Sequence, residues 1–374
     1  MTLLSVKNLL HDKTRLAVTL TGIIFALVLI TVQFGLFLGF METSANIVDR
    51  SGVDLWVTAP GLPHVNAGSS QPERRRYQVL SIPGVVKAEP YLLSFASWKL
   101  PSGAKQQVQV VGYDLASGLG GPATLVAGSA DALRSDDTVL IDRHYRGKLG
   151  VSDLGDAAEI NGVRARVAGY TSGMLSFTTA PYVFTSFKHA QKYMNLDRSE
   201  TIFIVVRLVA EADPQAVKRA ILATLPDCEV FTNAEMTHKT QFYWVFSTGA
   251  GITTLIGAAL GLLVGTVVVA QTIYSATVDH IREFGTLKAM GAPNSYIYRV
   301  IIEQAVLAAS MGYALAIIIA YAVVQGSRNG DALIKLPPAM AIGLFGLAVV
   351  MCIAASILSI RKATTIDPAM VFRG

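Results

Sequence analysis

Four stretches of this chain contain no Asp, Glu, Lys or Arg: Leu16 to Met41, Thr240 to Val278, Gln304 to Ser327 and Leu336 to Ile360. Each exceeds the roughly 20 apolar residues that cross the hydrocarbon core of a bilayer. A soluble chain carries about 25% charged residues and spreads them along its length. Here they make up 15% of 374 residues, against 52% hydrophobic, and they are confined to the segments outside the four stretches. The pattern reads as a membrane protein with four spans and argues against a single-domain cytosolic enzyme.

The net charge of +5 would suit a nucleic-acid partner, but where the cations sit decides otherwise. Lys7, Lys13 and Arg15 precede the first stretch, Arg282, Lys288 and Arg299 lie between the second and third, and Arg361, Lys362 and Arg373 follow the fourth. Cationic flanks at alternate crossings place both termini and the loop between spans two and three in the cytoplasm. The segment from about Glu42 to Lys239 and the loop around Arg328 to Lys335 then face outward. No nucleic acid is expected as a partner. The first stretch reads as an uncleaved anchor, because its 26 residues are about twice the length of a signal h-region. Phe34, Phe37 and Phe40 also stand where a small-residue cleavage site would be.

The expected organisation is an amphipathic inner-surface helix over 1–15 and spanning helices over 16–41, 240–278, 299–323 and 339–360. A large mixed α/β domain occupies 42–239, with room for two lobes, one including the sequence-split ends and one the middle. A cytoplasmic helix and loop over 279–298, a short outward loop over 324–338 and a cytoplasmic tail over 361–374 complete it. Leu3, Val6 and Leu10 share one face of the first helix, as a peptide lying on a membrane requires. Within the domain, segments rich in Val, Ile and Thr or alternating in polarity predict strands at 107–111, 138–141, 165–168 and 202–208. Helices are predicted at 186–195 and at 214–224, where Pro214 suits the first turn and Asp213 or Glu211 the cap. Arg74, Arg75 and Arg76 follow a Gly/Pro-rich loop. So short a run is most simply a solvated charge cluster; its functional reading is contact with anionic lipid head groups or a partner's carboxylates.

The second uncharged stretch is 39 residues long, about 58 Å as one helix, and is expected to project outward beyond the bilayer. Gln241, Phe242, Tyr243, Trp244 and Phe246 would mark its outer boundary. Gly257, Gly261 and Gly265 recur every four residues along it, which lets another helix approach closely. An intramolecular seam and a homodimer seam both fit that ridge. Gln33 and Gln271 are the deepest amides and read as bridges between helices.

Between the second and third stretches runs Arg282-Glu283-Phe284-Gly285-Thr286-Leu287-Lys288-Ala289-Met290-Gly291-Ala292. Ile281, Phe284, Leu287 and Lys288 fall at helical spacing, and Gly291 and Pro293 end the helix. This short amphipathic helix at the inner surface suits docking of a cytoplasmic protein. The run closely resembles the R-E-[IF]-G-[TV]-[LM]-[KR]-A-[LMI]-G-A signature of macrolide-exporter-type ABC transporter permeases, and Arg361 to Arg373 resembles the C-terminal ending of the same family. The chain thus resembles the MacB/FtsX-like permease superfamily, which includes lipoprotein-releasing and cell-division permeases.

That resemblance implies a type VII ABC transporter architecture: four transmembrane helices, with a large periplasmic α/β domain between helices 1 and 2, in a bacterial inner membrane. It implies a cytoplasmic ABC ATPase subunit that binds ATP and Mg, a second copy of the permease, a periplasmic adaptor and an outer-membrane duct. Closure of the ATPase would move the membrane helices and, through them, the outward domains. The separate-subunit permeases of tripartite exporters, of the cyanobacterial glycolipid type, resemble this chain in size and imply a hydrophobic or lipid-like substrate. The alternative is a non-transporting regulator of a periplasmic cell-wall enzyme, as in the cell-division type. The coupling positions carried over are Arg282, Glu283, Gly285, Thr286, Lys288 and Gly291.

No catalytic site is legible. The sequence has no G-x-x-x-x-G-K-[ST] phosphate loop, so the chain itself is expected to bind no ATP or other cofactor. His11, His64, His144, His189, His238 and His280 are scattered without metal-ligand spacing. Cys228 and Cys352 fall in the domain and in the fourth span, and no bridge between them is expected.

Overall fold

A computed structural model describes residues 13–178, 180–279, 286, 290, 292–327, 330 and 333–364. The chain forms two compact units, one of residues up to Gly39 together with those from Gly251 onward, the other of Phe40–Ala250. Four described helices are long and apolar enough to cross a membrane, over Leu16–Ser44, Ala250–Ser275, Asn294–Ser327 and Pro338–Ile357. They belong to helices running Lys13–Ser44, Ala250–Asp279, Asn294–Ser327 and Pro338–Thr364. Ile23, Ala26, Leu27, Val269, Ala309 and Ala348 are buried where these helices meet.

The Phe40–Ala250 unit is an α/β domain. Its strands, in chain order, are β1 (Leu55–Thr58), β2 (Gln71–Pro72), β3 (Val85–Lys99), β4 (Lys105–Tyr113), β5 (Leu125–Gly128) and β6 (Thr138–Asp142). They continue with β7 (Ala157–Ile160), β8 (Val163–Thr171), β9 (Tyr182–Ser186), β10 (Glu200–Thr201), β11 (Phe203–Leu208) and β12 (Glu229–Thr232). The main sheet has the order β12-β1-β11-β3-β4-β9-β6-β8-β5, with β7 beside β3 and β8, and β2 pairs separately with β10. β4–β9 and β6–β8 are parallel; the other pairs are antiparallel.

β3 joins two halves of this sheet. Its residues up to Tyr91 pair with β11, and those from Leu92 onward pair with β4. Pro90, which has no N–H to give to a ladder, lies just before the change of neighbour. On one side, the two ends of the domain's sequence bury Leu55, Val57, Ile204, Val206 and Ile221 in one core. On the other, the middle contributes Leu92, Val110, Val139 and Phe184 to a second, larger core.

The local signals act as their chemistry dictates. Pro214 opens the helix Pro214–Thr224, and the Asp213 carboxylate accepts from the backbone N–H groups of Gln215 and Ala216. Ser186 caps Phe187–Met194, which ends on Asn195 in the left-handed conformation. Thr232 and Glu235 form a capping box on the helix Asn233–Phe242. Gln241 of that helix donates its side-chain amide to the carbonyl of Met41 at 2.9 Å, tying the chain's exit from the domain to its entrance.

The single helix expected over 240–278 is not formed. The α-helix stops at Phe242, a π turn covers Tyr243–Ser247, and a new α-helix begins at Ala250. Gly249 separates them with φ +73°, a conformation that a right-handed helix cannot contain. Thr248 completes the break: its N–H donates to the carbonyl of Tyr243 at 3.3 Å, and its hydroxyl accepts from Ala250 N–H at 3.3 Å. A Cβ at Gly249 would meet nothing within 4 Å, so Gly249→Ala should cost only backbone strain, about 1–2 kcal/mol. Gly249→Asn should recover part of that loss in thermal unfolding of the detergent-solubilised chain.

Candidate functional site

The glycine ridge of the second spanning helix packs within this chain. A Cβ at Gly257 would lie 2.8 Å from the amide carbon of Gln33, one at Gly261 3.0 Å from a methyl of Leu29, and one at Gly265 would overlap the Cβ of Ala26. The contacts descend the first helix as they ascend the second, so the two run antiparallel along the ridge. Hydrogens in place of side chains make this approach possible. The opposite face, with Ile256, Leu260, Leu263 and Val267, is exposed. Gln33 lies against this seam, and Gln271 is exposed.

More glycines serve the same bundle than the ridge alone suggests. Gly22 leaves room for Val268, and Gly312 of the third helix leaves room for Ile23. Gly35 and Gly39, four residues apart, receive the segment after the third helix. The carbonyl of Gly35 accepts from Lys335 N–H at 3.1 Å, and a Cβ at Gly39 would run into the carbonyl of Leu333. The four-residue spacing in the first helix was the available signal.

Of the coupling positions, Arg282, Glu283, Gly285, Lys288 and Gly291 lie outside the described residues, as do 1–12 and 365–374. Thr286 is helical and exposed, and its carbonyl accepts from Met290 N–H at 3.0 Å. The described helices end at Asp279 before this connection and resume at Asn294 after it.

The arginine run divides. Arg75 pairs with Asp227 and donates to Gln71. Arg76 meets Glu73 at 3.6 Å and Glu89 at 3.4 Å and stacks on Tyr77. Both are thus committed to holding the start of the helix Arg75–Leu80 onto the domain, and of the three only Arg74 is exposed and has no ion pair among the described residues. Exposed ion pairs of this kind contribute about 0–1 kcal/mol each.

Among the described residues, no three His, Cys, Asp or Glu side chains converge on a metal-sized site. His64 is packed against Tyr243 and Trp244, with ring centroids 4.3 and 4.9 Å away. Burial pushes its imidazole below the ordinary value, against the hydrogen bond with Asn66. Cys228 is buried and unbridged, and burial pushes its thiol up to about 11. Cys352 is also buried and free. Burial of Glu235 opposes its ionisation, but hydrogen bonds from Lys218, Thr232 N–H and Gln215 outweigh it and hold the carboxyl at about 2.

Four apolar helices, with an α/β domain inserted after the first of them, give the chain the architecture of a membrane protein. The family model described as the MacB-like periplasmic core domain matches residues 16–224, more than half of the chain. The model of the FtsX-like permease C-terminal region matches 256–368. The chain therefore belongs to the MacB/FtsX-like superfamily of ABC transporter permeases. It is similar to an uncharacterized ABC transporter permease of Mycobacterium tuberculosis strain H37Rv, at 24% identity over 99% of both chains. It is also similar to one of Mycobacterium bovis, at 23% identity over 96% of this chain and 95% of that one. Among solved structures, the periplasmic region of MacB from Actinobacillus actinomycetemcomitans aligns with 50% of this chain and 93% of its own, at 11% identity and a TM-score of 0.39. The extracellular domain of the transporter YknZ from Gram-positive bacteria aligns with 48% of this chain and 98% of its own, at 11% identity and a TM-score of 0.37.

Two measurements test these assignments. Valine substitutions along the ridge should destabilise in the order Gly265, Gly261, Gly257, because Ala26 cannot yield, Leu29 can turn and the Gln33 amide can swing away. The largest effect should be about 1–3 kcal/mol in detergent unfolding, independent of protein concentration. For Glu235, the folded value lies below the unfolded 4.5, so its contribution is present above that pH and lost as pH falls towards about 2. Glu235→Gln should lower the unfolding midpoint at neutral pH, and the difference should shrink below pH 4.5.

Proposed function

We propose that this chain is the permease subunit of an ATP-driven, mechanotransmitting export complex of type VII architecture. The observation that carries the reading is the segment Arg282 to Ala292, which joins two apolar helices inside the FtsX-like match. Both termini and this segment are assigned to the cytoplasmic side of a bacterial inner membrane, from the cations that flank alternate spans. A separate ABC ATPase, holding ATP and Mg, docks there. Glu283 accepts charge-assisted hydrogen bonds from the ATPase groove, while Arg282 and Lys288 pair with its acidic groups. In this reading Gly285 and Gly291 are the positions where a side chain would crowd the docked partner, and Thr286, an exposed residue, lies between them.

Two permeases operate together, and their domains move in response to ATPase closure. A periplasmic adaptor and an outer-membrane duct receive a hydrophobic or lipid-like substrate taken from the periplasm or outer leaflet. The MacB-like match over 16–224 favours export over control of a cell-wall enzyme. Arg74 remains the one arginine of its run available to a lipid or partner.

Co-purification of the full chain in mild detergent, with identification of every retained subunit, tests the assembly. Once the ATPase is identified, Glu283→Ala should reduce permease-stimulated ATP turnover about tenfold or more, as loss of one partner in a buried charged hydrogen bond does. Membrane insertion should be unaffected. Unchanged stimulation would reject the role given to Glu283, and a complex without an ATPase would reject the function.

A further inference from the structure

An open groove of about 820 Å³ lies on the α/β domain along the helix Asn233–Phe242. Its size is within the roughly 300–1,000 Å³ of small-molecule sites. Phe231, Phe242, Tyr243 and Pro63 give it an apolar wall, and Lys218 and Lys239 supply its cations. Such walls normally turn inward, yet Phe242 is 52% exposed. Phe242 also packs at a tilt against the exposed Phe246, 4.7 Å away between ring centroids. The domain therefore shows aromatic surface at this place.

The charges are unequal. Lys218 is matched by Glu235 at 2.6 Å, whose two oxygens also receive Thr232 N–H and the Gln215 amide. That carboxylate is saturated. Among the described residues Lys239 meets no carboxylate; its ammonium sits 4.9 Å from the centre of the Phe231 ring. His238, on the same helix, lies over Phe242 at 6.2 Å. The groove thus offers one uncompensated cation beside a run of aromatic carbon. A ligand that satisfies both has one anionic group and a hydrocarbon chain. A soluble anion would leave the wall wet, and a neutral hydrophobe would leave Lys239 unanswered.

The source of such a ligand follows from the chain itself. Ser247, in the groove lining, is three residues before Ala250, where the second spanning helix begins. Three residues reach at most about 11 Å, so this end of the groove lies within that distance of the start of a membrane-spanning segment. We infer that the groove binds an anionic phospholipid, with its phosphate on Lys239 and an acyl chain along Phe231, Phe242 and Tyr243. The inference rests on the membrane-spanning assignment of that helix and not on ATPase coupling, so its test uses no nucleotide.

Amine acetylation of the full-length chain in detergent micelles, read at each lysine by peptide mass spectrometry, tests it directly. Dioleoyl-phosphatidylglycerol should slow modification of Lys239 about fivefold at roughly four times its dissociation constant, while exposed Lys105 keeps its rate. Glycerol phosphate, which has the anion without the chain, and dioleoyl-phosphatidylcholine, which cancels the anion, should each protect far less. Phe242→Ala and Phe242→Ser alter an exposed side chain and should restore the lipid-free rate while the thermal midpoint is kept. Equal protection by phosphatidylcholine or by glycerol phosphate, no protection by phosphatidylglycerol, or protection that survives both Phe242 variants would each overturn the assignment.

Discussion

Hydrocarbon offers a peptide group no hydrogen-bond partner, and four segments of this chain must satisfy every backbone N–H and C=O within themselves. Helix is the one local answer, and the spanning helices extend it to their hydroxyls. Thr31, Thr266, Thr272 and Ser310 each donate to the carbonyl four residues earlier in the same helix. Apart from contacts such as that of Tyr313, whose hydroxyl donates to the Ala341 carbonyl of the fourth helix at 2.9 Å, the helices recognise one another by shape. Association then falls to dispersion contacts at short range, and that is why glycine is spent so freely along the first and second helices.

The α/β domain solves a different problem. Water serves its exposed backbone, so strands are allowed, and burial of apolar side chains drives assembly. Its two cores meet along β3, a strand of 15 residues whose two halves have different neighbours. Because the ends of the domain's sequence supply one half and the middle supplies the other, the chain enters and leaves on the same side of the sheet's connectivity. Asn233 reinforces that closure, donating to the carbonyls of Val48 at 3.0 Å and Val53 at 2.8 Å.

What the amino-acid sequence reveals depends on how local the deciding physics is. Asp213 and Pro214 settle a helix start between neighbouring residues, and the helix Pro214–Thr224 is read to the residue. The apolar spans are legible because the bilayer imposes length and composition on each of them separately. The break at Gly249 was also local, in the run Ser247-Thr248-Gly249, but the uncharged stretch around it concealed it, since charge reports on the membrane and not on the backbone. Arg75 and Arg76 were opaque for the opposite reason. Their partners Asp227 and Glu89 are distant in sequence, and only the tertiary fold turns an apparent surface patch into internal pairs. The ridge of Gly257, Gly261 and Gly265 stood between these cases: close packing was evident from the spacing, the identity of the opposing helix was not.

Two covalent routes connect the apolar bundle to the domain, and they differ in backbone conformation. The first helix runs unbroken from Lys13 to Ser44, about 48 Å at 1.5 Å per residue, and therefore continues past the bundle's last residue, Gly39, into the domain. The second route passes through a π turn and a left-handed glycine. The glycine seam packs the second helix against this first route along Gln33, Leu29 and Ala26, so the two routes leave the bundle from helices that are already in contact.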